Sequence, residues 1–426
     1  MLERKRKLDC ANGREKADLV LKNGNVLNVF TEEVLKADVA ICGDTIVGVG
    51  EYEGKEEIDC TGKYLVPGFI DAHMHIESCM AAPGELAKVL AKAGTTTIIA
   101  DPHEIVNVSG TKGMDYFLKC AAKLLVNVFF MVPSAVPATD VETNGCGEFL
   151  ASDMMKYVDN ARVLGLGETM RFMECCEGEK RMADKLELFA KKHIDGHAPG
   201  IRGKEVQAYR LAGVENDHEC STAEEVLDKL RAGLHIYVRE GSGAKNLETL
   251  IKTMLDAGVC LDRCAFCTDD KHVEEIRKEG HISTCIRKAI ALGVPVAKAY
   301  KMGSYQAAEF YGLKNYGAIG AGYRADIVFL DDLEQVRPLD VMKDGRILTE
   351  EDYAKDYSVP VPDELLHTVH VGEVTKEKIR LSCDGKTDVI QMNPHQIVTT
   401  HLVEEVPTEN GYFKSDGVLY TTRSAW

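Results

Sequence analysis

The functions open to this 426-residue chain narrow first through what it is short of. It has no apolar run approaching the roughly 20 residues that a membrane helix needs. Its charged start, Met1-Leu2-Glu3-Arg4-Lys5-Arg6-Lys7-Leu8-Asp9, has no apolar core of the kind a secretory signal carries. Positive charge is scarce: 51 Lys and Arg stand against 68 Asp and Glu, and a net charge of -17 argues against nucleic acid or an anionic membrane as partner. The 14 cysteines are scattered, with Cys42, Cys120 and Cys260 in apolar or strand-like settings. Buried reduced thiols of this kind lead to the expectation of a cytosolic protein. Cys264-Ala265-Phe266-Cys267 has no second pair at zinc-ribbon spacing, and on a strand its thiols would face opposite ways, so these too read as core residues.

Several catalytic templates are also missing. There is no P-loop and no G-x-S-x-G elbow. His103-Glu104-Ile105-Val106-Asn107 and His218-Glu219-Cys220-Ser221-Thr222 both lack the second His of a zincin helix. No H-x-E…P-C-x-x-C pattern occurs. Gly48-Val49-Gly50 and Gly320-Ala321-Gly322 are turn glycines rather than dinucleotide fingerprints.

What is present is an ordinary globular composition, 45% hydrophobic and 28% charged, in a patterned order. Short alternating segments with Asn-Gly and Gly-Asp turns fill 17–58 and return over 317–347, which predicts one β-domain built from both ends. Between them, strand candidates at 64–75, 95–103, 127–133, 163–168, 194–198, 214–218, 234–240 and 264–269 alternate with helical stretches such as Ala183–Lys192 and Thr222–Ala232. Eight strands alternating with helices predict an α/β fold, a (β/α)8 TIM-like barrel with a small β-sandwich; a doubly wound open sheet is the rival. The expected boundaries are 1–63 for the N-terminal part of the β-domain and 64–312 for the barrel. Residues 313–365 return to the β-domain, and 366–426 begin a C-terminal region.

The barrel is preferred because polar residues recur at the strand ends. His73-Met74-His75 projects two imidazoles from one side of a strand, half of a metal site. Then come Asp101, His103 and Glu104, followed by Ser134, Glu168, His197, His218, Arg239, Glu240, Asp269 and Asp270. Four of these imidazoles with two of the carboxylates already exceed what one tetrahedral ion needs and suit two divalent ions, Mn, Fe or Zn, with a bridging carboxylate. Adjacent cations lower the pKa of a shared water, which is hydrolytic chemistry.

The segments PGFIDAHMHIES (67–78), GTTTIIADPHEIVNV (94–108), GLGETM (165–170), DGHAPG (195–200), DHE (217–219), REGSGAKNL (239–247) and TDDKHVEEIRKEGHI (268–282) resemble the amidohydrolase superfamily and, within it, the adenine deaminase family. The likeness covers about residues 15 to 415. It implies attack of a metal-activated hydroxide on C6 of adenine, giving hypoxanthine and ammonia, with a purine base as small-molecule partner and a homo-oligomeric assembly. By the same likeness His73, His75 and Asp269 (or its neighbour Asp270) would hold one metal ion, His197 and His218 the other, and Glu168 would bridge them. Asp101, His103 and Glu104 would handle protons or substrate near the hydroxide, and Arg239, Glu240 and Ser242 would face the purine. Asp269 and Glu240 are the candidates for proton transfer on either side of the reacting carbon. Lys271, His272 and His281 read as supporting residues.

The family pattern continues past this length, whereas here the likeness stops after Phe413-Lys414-Ser415-Asp416 and the last ten residues, Gly417–Trp426, look unlike the continuation. That leaves two alternatives beside the main reading: a cyclic amidohydrolase of the same fold with another substrate, and a truncated, non-catalytic chain.

Overall fold

In the computed structural model of the chain, which describes residues 2–383 and 385–414, eight parallel strands ring a common axis. They are β1 (Phe69–Met74), β2 (Thr95–Ala100), β3 (Asn127–Val132), β4 (Val163–Thr169), β5 (His193–Gly196), β6 (Asn216–Asp217), β7 (His235–Arg239) and β8 (Cys264–Cys267). Strands β1 to β5 pair in sequence order, as do β6 to β8. Backbone hydrogen bonds close both seams: Glu215 N donates to Ile194 O (3.0 Å), Asp269 N to His73 O (3.0 Å), and His75 N to Asp269 O (3.2 Å). The result is the barrel that the alternating pattern predicts, not the open doubly wound sheet. Strands β1 and β2 are buried along their whole length, their polar members Asp71, His73 and Thr95, Thr96 and Thr97 included.

Ile70, Ala72, Ile99, Met131, Tyr237, Ala265 and Cys267 pack with Tyr311 in one apolar cluster. A polar knot accompanies them: Tyr311 OH donates to Asp195 Oδ2 (2.7 Å) and Asn216 Nδ2 donates to Asp195 Oδ1 (2.5 Å). Outer helices form in register with the sequence. Ala223–Arg231 is fixed by a capping box between Thr222 and Glu225. The helix expected over 183–192 runs instead from Lys180 to Leu188, because fully buried Phe189 takes the closing turn and leaves 190–192 to lead into β5.

The strand expected over 64–75 is two strands. Tyr64–Pro67 pairs antiparallel with Ile327–Leu330, and the chain passes Gly68 before entering β1. A Cβ at Gly68 would lie 2.3 Å from Thr96 Oγ1, so the crossing requires glycine. Tyr64–Pro67 and Ile327–Leu330 belong to an eight-stranded sheet that also takes in Ala17–Asn28, Glu33–Cys42, Thr45–Gly50, Gly54–Asp59, Asp340–Lys343 and Arg346–Ile347. It folds around Leu21, Val39, Ile41, Ile46, Leu65, Ile327 and Phe329, the sandwich expected from the two ends of the chain. Farther on, Lys386–Met392 and Thr399–Glu405 form an antiparallel hairpin. The segment Gly417–Trp426 lies outside the described residues. Among those described, no helix is long and apolar enough to cross a membrane.

Candidate active site

The C-terminal ends of the barrel strands deliver the side chains. His73 is on β1 and His75 just past it; Glu168 is near the end of β4; His197 follows β5, His218 follows β6, and Asp269 lies two residues beyond β8. Asp269 sits at φ +56°, in the left-handed region that costs a non-glycine residue energy. That conformation lets its backbone bridge to His73 and His75 while its carboxylate turns inward.

The polar atoms converge. His73 Nε2 lies 3.2 Å from His75 Nε2, and Asp269 Oδ1 lies 3.0 Å from His75 Nε2 and 3.7 Å from His73 Nε2. Glu168 Oε1 is 3.4 Å from His75 Nε2, while its Oε2 is 2.5 Å from His197 Nδ1 and 3.2 Å from His218 Nε2. One carboxylate thus reaches two groups of imidazoles. Nitrogen and oxygen ligands of one tetrahedral ion stand roughly 3.3–3.5 Å apart, so these spacings suit metal binding. His75 Nδ1 faces the Asp101 carbonyl oxygen at 2.8 Å, which directs one ring proton there and turns Nε2 towards the cluster. His73 Nδ1 and His218 Nδ1 are buried without a hydrogen-bond partner, an arrangement that costs energy unless something else satisfies the site.

The electrostatics agree. Burial opposes charge on Glu168 and Asp269, yet the surrounding imidazoles, with Arg239 beside Asp269, hold both carboxyls well below their usual range. Burial, with His218 adjacent, lowers His73 to about 4 and keeps it neutral. Burial also works against a charge on His75, but Glu104, Asp269 and Glu168 raise it well above its ordinary value. A centre that attracts positive charge this strongly is the environment a divalent cation would meet. The residues present therefore fit a metal centre.

Around this cluster, His103 Nδ1 lies 3.0 Å from Glu168 Oε1, and Glu104 Oε2 lies 3.5 Å from His75 Nδ1. Burial and His75 disfavour charge on His103, but its hydrogen bond to Glu168 brings it up to about 9. Burial raises Asp101 to about 7, and its Oδ2 accepts from Glu168 N at 2.8 Å. That contact needs Gly167, since a Cβ there would sit 2.2 Å from Asp101 Oδ2. Ser134 Oγ donates to Glu168 O (2.6 Å).

The remaining candidates are turned to other partners. Arg239 is fully buried but faces Glu219 and Asp269 (2.7 Å) rather than open space. Glu240 is bound to Lys288 Nζ at 2.5 Å, on the helix Ile282–Ala291 outside the barrel. Ser242 Oγ accepts from His272 N (3.0 Å) and orders a loop. The geometry therefore does not bring Glu240 and Ser242 into the cluster. Among the supporting residues, Lys271 pairs with Glu279 (2.7 Å) and His281 with Asp71 (3.1 Å).

Glu219 has no role that the sequence alone suggests. It is fully buried, its Oε1 lying 3.3 Å from His218 Nε2 and 3.6 Å from His197 Nδ1. Burial opposes its ionisation, but His197 and Arg239 lower it to about 2. The D-H-E triplet is the one signal that could have pointed to it.

The amidohydrolase family model matches residues 64–348. An adenine deaminase of Desulfitobacterium hafniense (strain Y51) is 46% identical over 402 residues, covering 94% of this chain and 70% of that protein. One from Clostridium acetobutylicum is 43% identical over 415 residues, covering 96% and 72%. A crystal structure of an adenine deaminase superposes with a TM-score of 0.58 at 20% identity, over 78% of this chain and 100% of the other; at that identity the likeness bears on the fold.

Proposed function

The chain belongs to the amidohydrolase family and, within it, to the adenine deaminases, and from that membership we propose that it hydrolyses adenine at C6 to hypoxanthine and ammonia. The observation that carries the residue assignment is Glu168, whose two oxygens face His75 on one side and His197 with His218 on the other. His73, His75 and Asp269 would hold one divalent ion, His197 and His218 a second, and Glu168 would join them. Manganese, iron and zinc all suit this nitrogen and oxygen donor set. Such ions supply Lewis acidity that makes hydroxide available from water at neutral pH.

The chain's own groups then have three tasks. Addition at C6 breaks the ring's aromaticity, so the neighbouring ring nitrogen must gain a proton, and the amine must gain one to leave as ammonia. Asp269 would take the proton that water gives up. His103 and Glu104, whose side chains are 21% and 35% exposed, form the edge of the cluster open to an entering base and are our candidates for delivering protons to it. Glu240, tied to Lys288, drops out of the relay, and Arg239 with Glu219 acts as a clamp on Asp269. A role in purine salvage, in a cytosolic setting that suits 14 free cysteines, completes the reading. The test is an ultraviolet assay of adenine with parallel ammonia detection, on protein loaded with each metal in turn; absence of turnover with all of them would refute the substrate assignment.

A further inference from the structure

The hairpin Lys386–Met392/Thr399–Glu405 has largely exposed strands, with Ile390 64% and Val403 55% exposed, yet its turn is seated on the barrel mouth. His395 O accepts from Lys245 N at 3.1 Å, and Gln396 Oε1 accepts from Asn246 Nδ2 at 3.0 Å. Lys245 and Asn246 lie in the loop that follows β7. Asn246 is fully buried, and its Oδ1 accepts from Arg239 Nη2 (3.1 Å) and Nε (3.4 Å). Arg239 in turn donates to Asp269 Oδ2 (2.7 Å) and to Glu219 Oε2 (3.0 Å). A continuous line of donors and acceptors therefore runs from a half-buried glutamine in the C-terminal segment to a carboxylate of the candidate metal centre.

The direction of that line is set by Arg239. A primary amide has one accepting end and one donating end. Arg239 offers only donors, so Asn246 must present oxygen to it and NH2 to the opposite side. The guanidinium penalises the flipped Asn246, whose NH2 would face it, and the oxygen of Gln396 gives the outward NH2 of the buried amide a partner. We propose that Gln396 is a positioning residue of the active site: its oxygen holds the outward NH2 of Asn246 in place, Asn246 aims Arg239, and Arg239 orients Asp269. The metal-binding part of this inference rests on the functional reading above; the hydrogen-bond line does not.

The test uses the full chain loaded with manganese, comparing the parent, Gln396→Ala and Gln396→Glu. The glutamate keeps an accepting oxygen at the same place, and the alanine has none. Two quantities are read: kcat and KM for adenine, and the rate at which manganese is lost to excess EDTA. Groups that orient metal ligands are worth about 10- to 100-fold in affinity or activity, and a residue two links away belongs at the lower end, about tenfold. Gln396→Ala is expected to lose manganese about tenfold faster and to lower kcat with little change in KM, and Gln396→Glu to behave as the parent. If Gln396→Ala matches the parent in both readouts, or Gln396→Glu is as impaired as the alanine variant, the proposal is overturned. If the parent leaves adenine untouched while the manganese-loss pattern appears as expected, the substrate reading fails and the positioning role stands.

Discussion

Arg239 and Glu219 meet in the barrel interior with both side chains fully shielded from solvent, one guanidinium nitrogen standing 3.0 Å from Glu219 Oε2. The pair is not isolated, because Arg239 also holds Asp269 at 2.7 Å. Two anions thus depend on one cation at a depth where an uncompensated charge is expensive.

Replacing Arg239 by Met would leave both carboxylates without their cation. We expect a loss of about 3–5 kcal/mol, the range for breaking a buried pair from one side, together with loss of turnover. Arg239→Lys keeps the charge but cannot fork across two carboxylates, so it should retain more stability than activity. Urea unfolding monitored by far-UV circular dichroism, set beside kcat/KM for adenine, checks both; a fully stable Arg239→Met protein would contradict the clamp.

His75→Ala should abolish deamination and lower the metal content of the purified protein, since His75 Nε2 is within 3.4 Å of His73, Asp269 and Glu168 alike. Metal analysis by mass spectrometry together with the adenine assay decides the matter. Full activity in that variant would remove the β1 imidazoles from the mechanism.

Much of this site is legible in the sequence because a barrel strand delivers its last inward residue to one shared face, so a polar residue after an apolar run has a defined destination. His73, His75, Glu168, His197, His218 and Asp269 stand out in that way and are brought together. Glu219 escapes the same reading because alternation along a strand would turn a residue beside His218 away from it. Strand β6 is only two residues long, and once the chain leaves the ladder both neighbours can face inward. At β7 the alternation does persist: Arg239 points in and Glu240 out to Lys288, although an adjacent Arg-Glu reads in sequence as one substrate-facing unit. Gln396 is beyond reach for another reason, its partner Asn246 lying 150 positions away with no local pattern to join them.

Lys185 gives a pH test that is independent of catalysis. It is 3% exposed, its Nζ donates to Ser134 O at 2.6 Å, and burial, with Arg181 nearby, lowers its pKa to about 8 from the ordinary 10.5. Between these values the unfolded chain binds a proton that the folded chain does not, so stability rises as pH climbs from about 8 towards 10.5 and the penalty is complete below 8. The difference amounts to roughly 3 kcal/mol at most. Lys185→Met should flatten that part of the profile and raise the neutral-pH melting temperature, less about 1 kcal/mol for the lost hydrogen bond. An unchanged slope between pH 8 and 10 would show that the ammonium is not desolvated as its burial implies.

Stripping the metal is the last test, and its sign follows from the charge arrangement. Glu168, Asp269 and Glu219 are all buried and held ionised beside imidazoles, of which His73 is kept neutral. Without cations the carboxylates rely on protons borrowed by His75, His197 and His218, whose pKa values they raise against the effect of burial. Chelator-treated protein should therefore be inactive, melt at a lower temperature and take up protons as metal leaves. Re-addition should release those protons, so metal affinity should weaken as pH falls. Calorimetric titration of manganese or zinc into the stripped protein, in two buffers of different ionisation enthalpy, measures the proton count directly. Binding with no proton release would mean that the imidazoles are already neutral without metal, and that the carboxylates are satisfied by some other route.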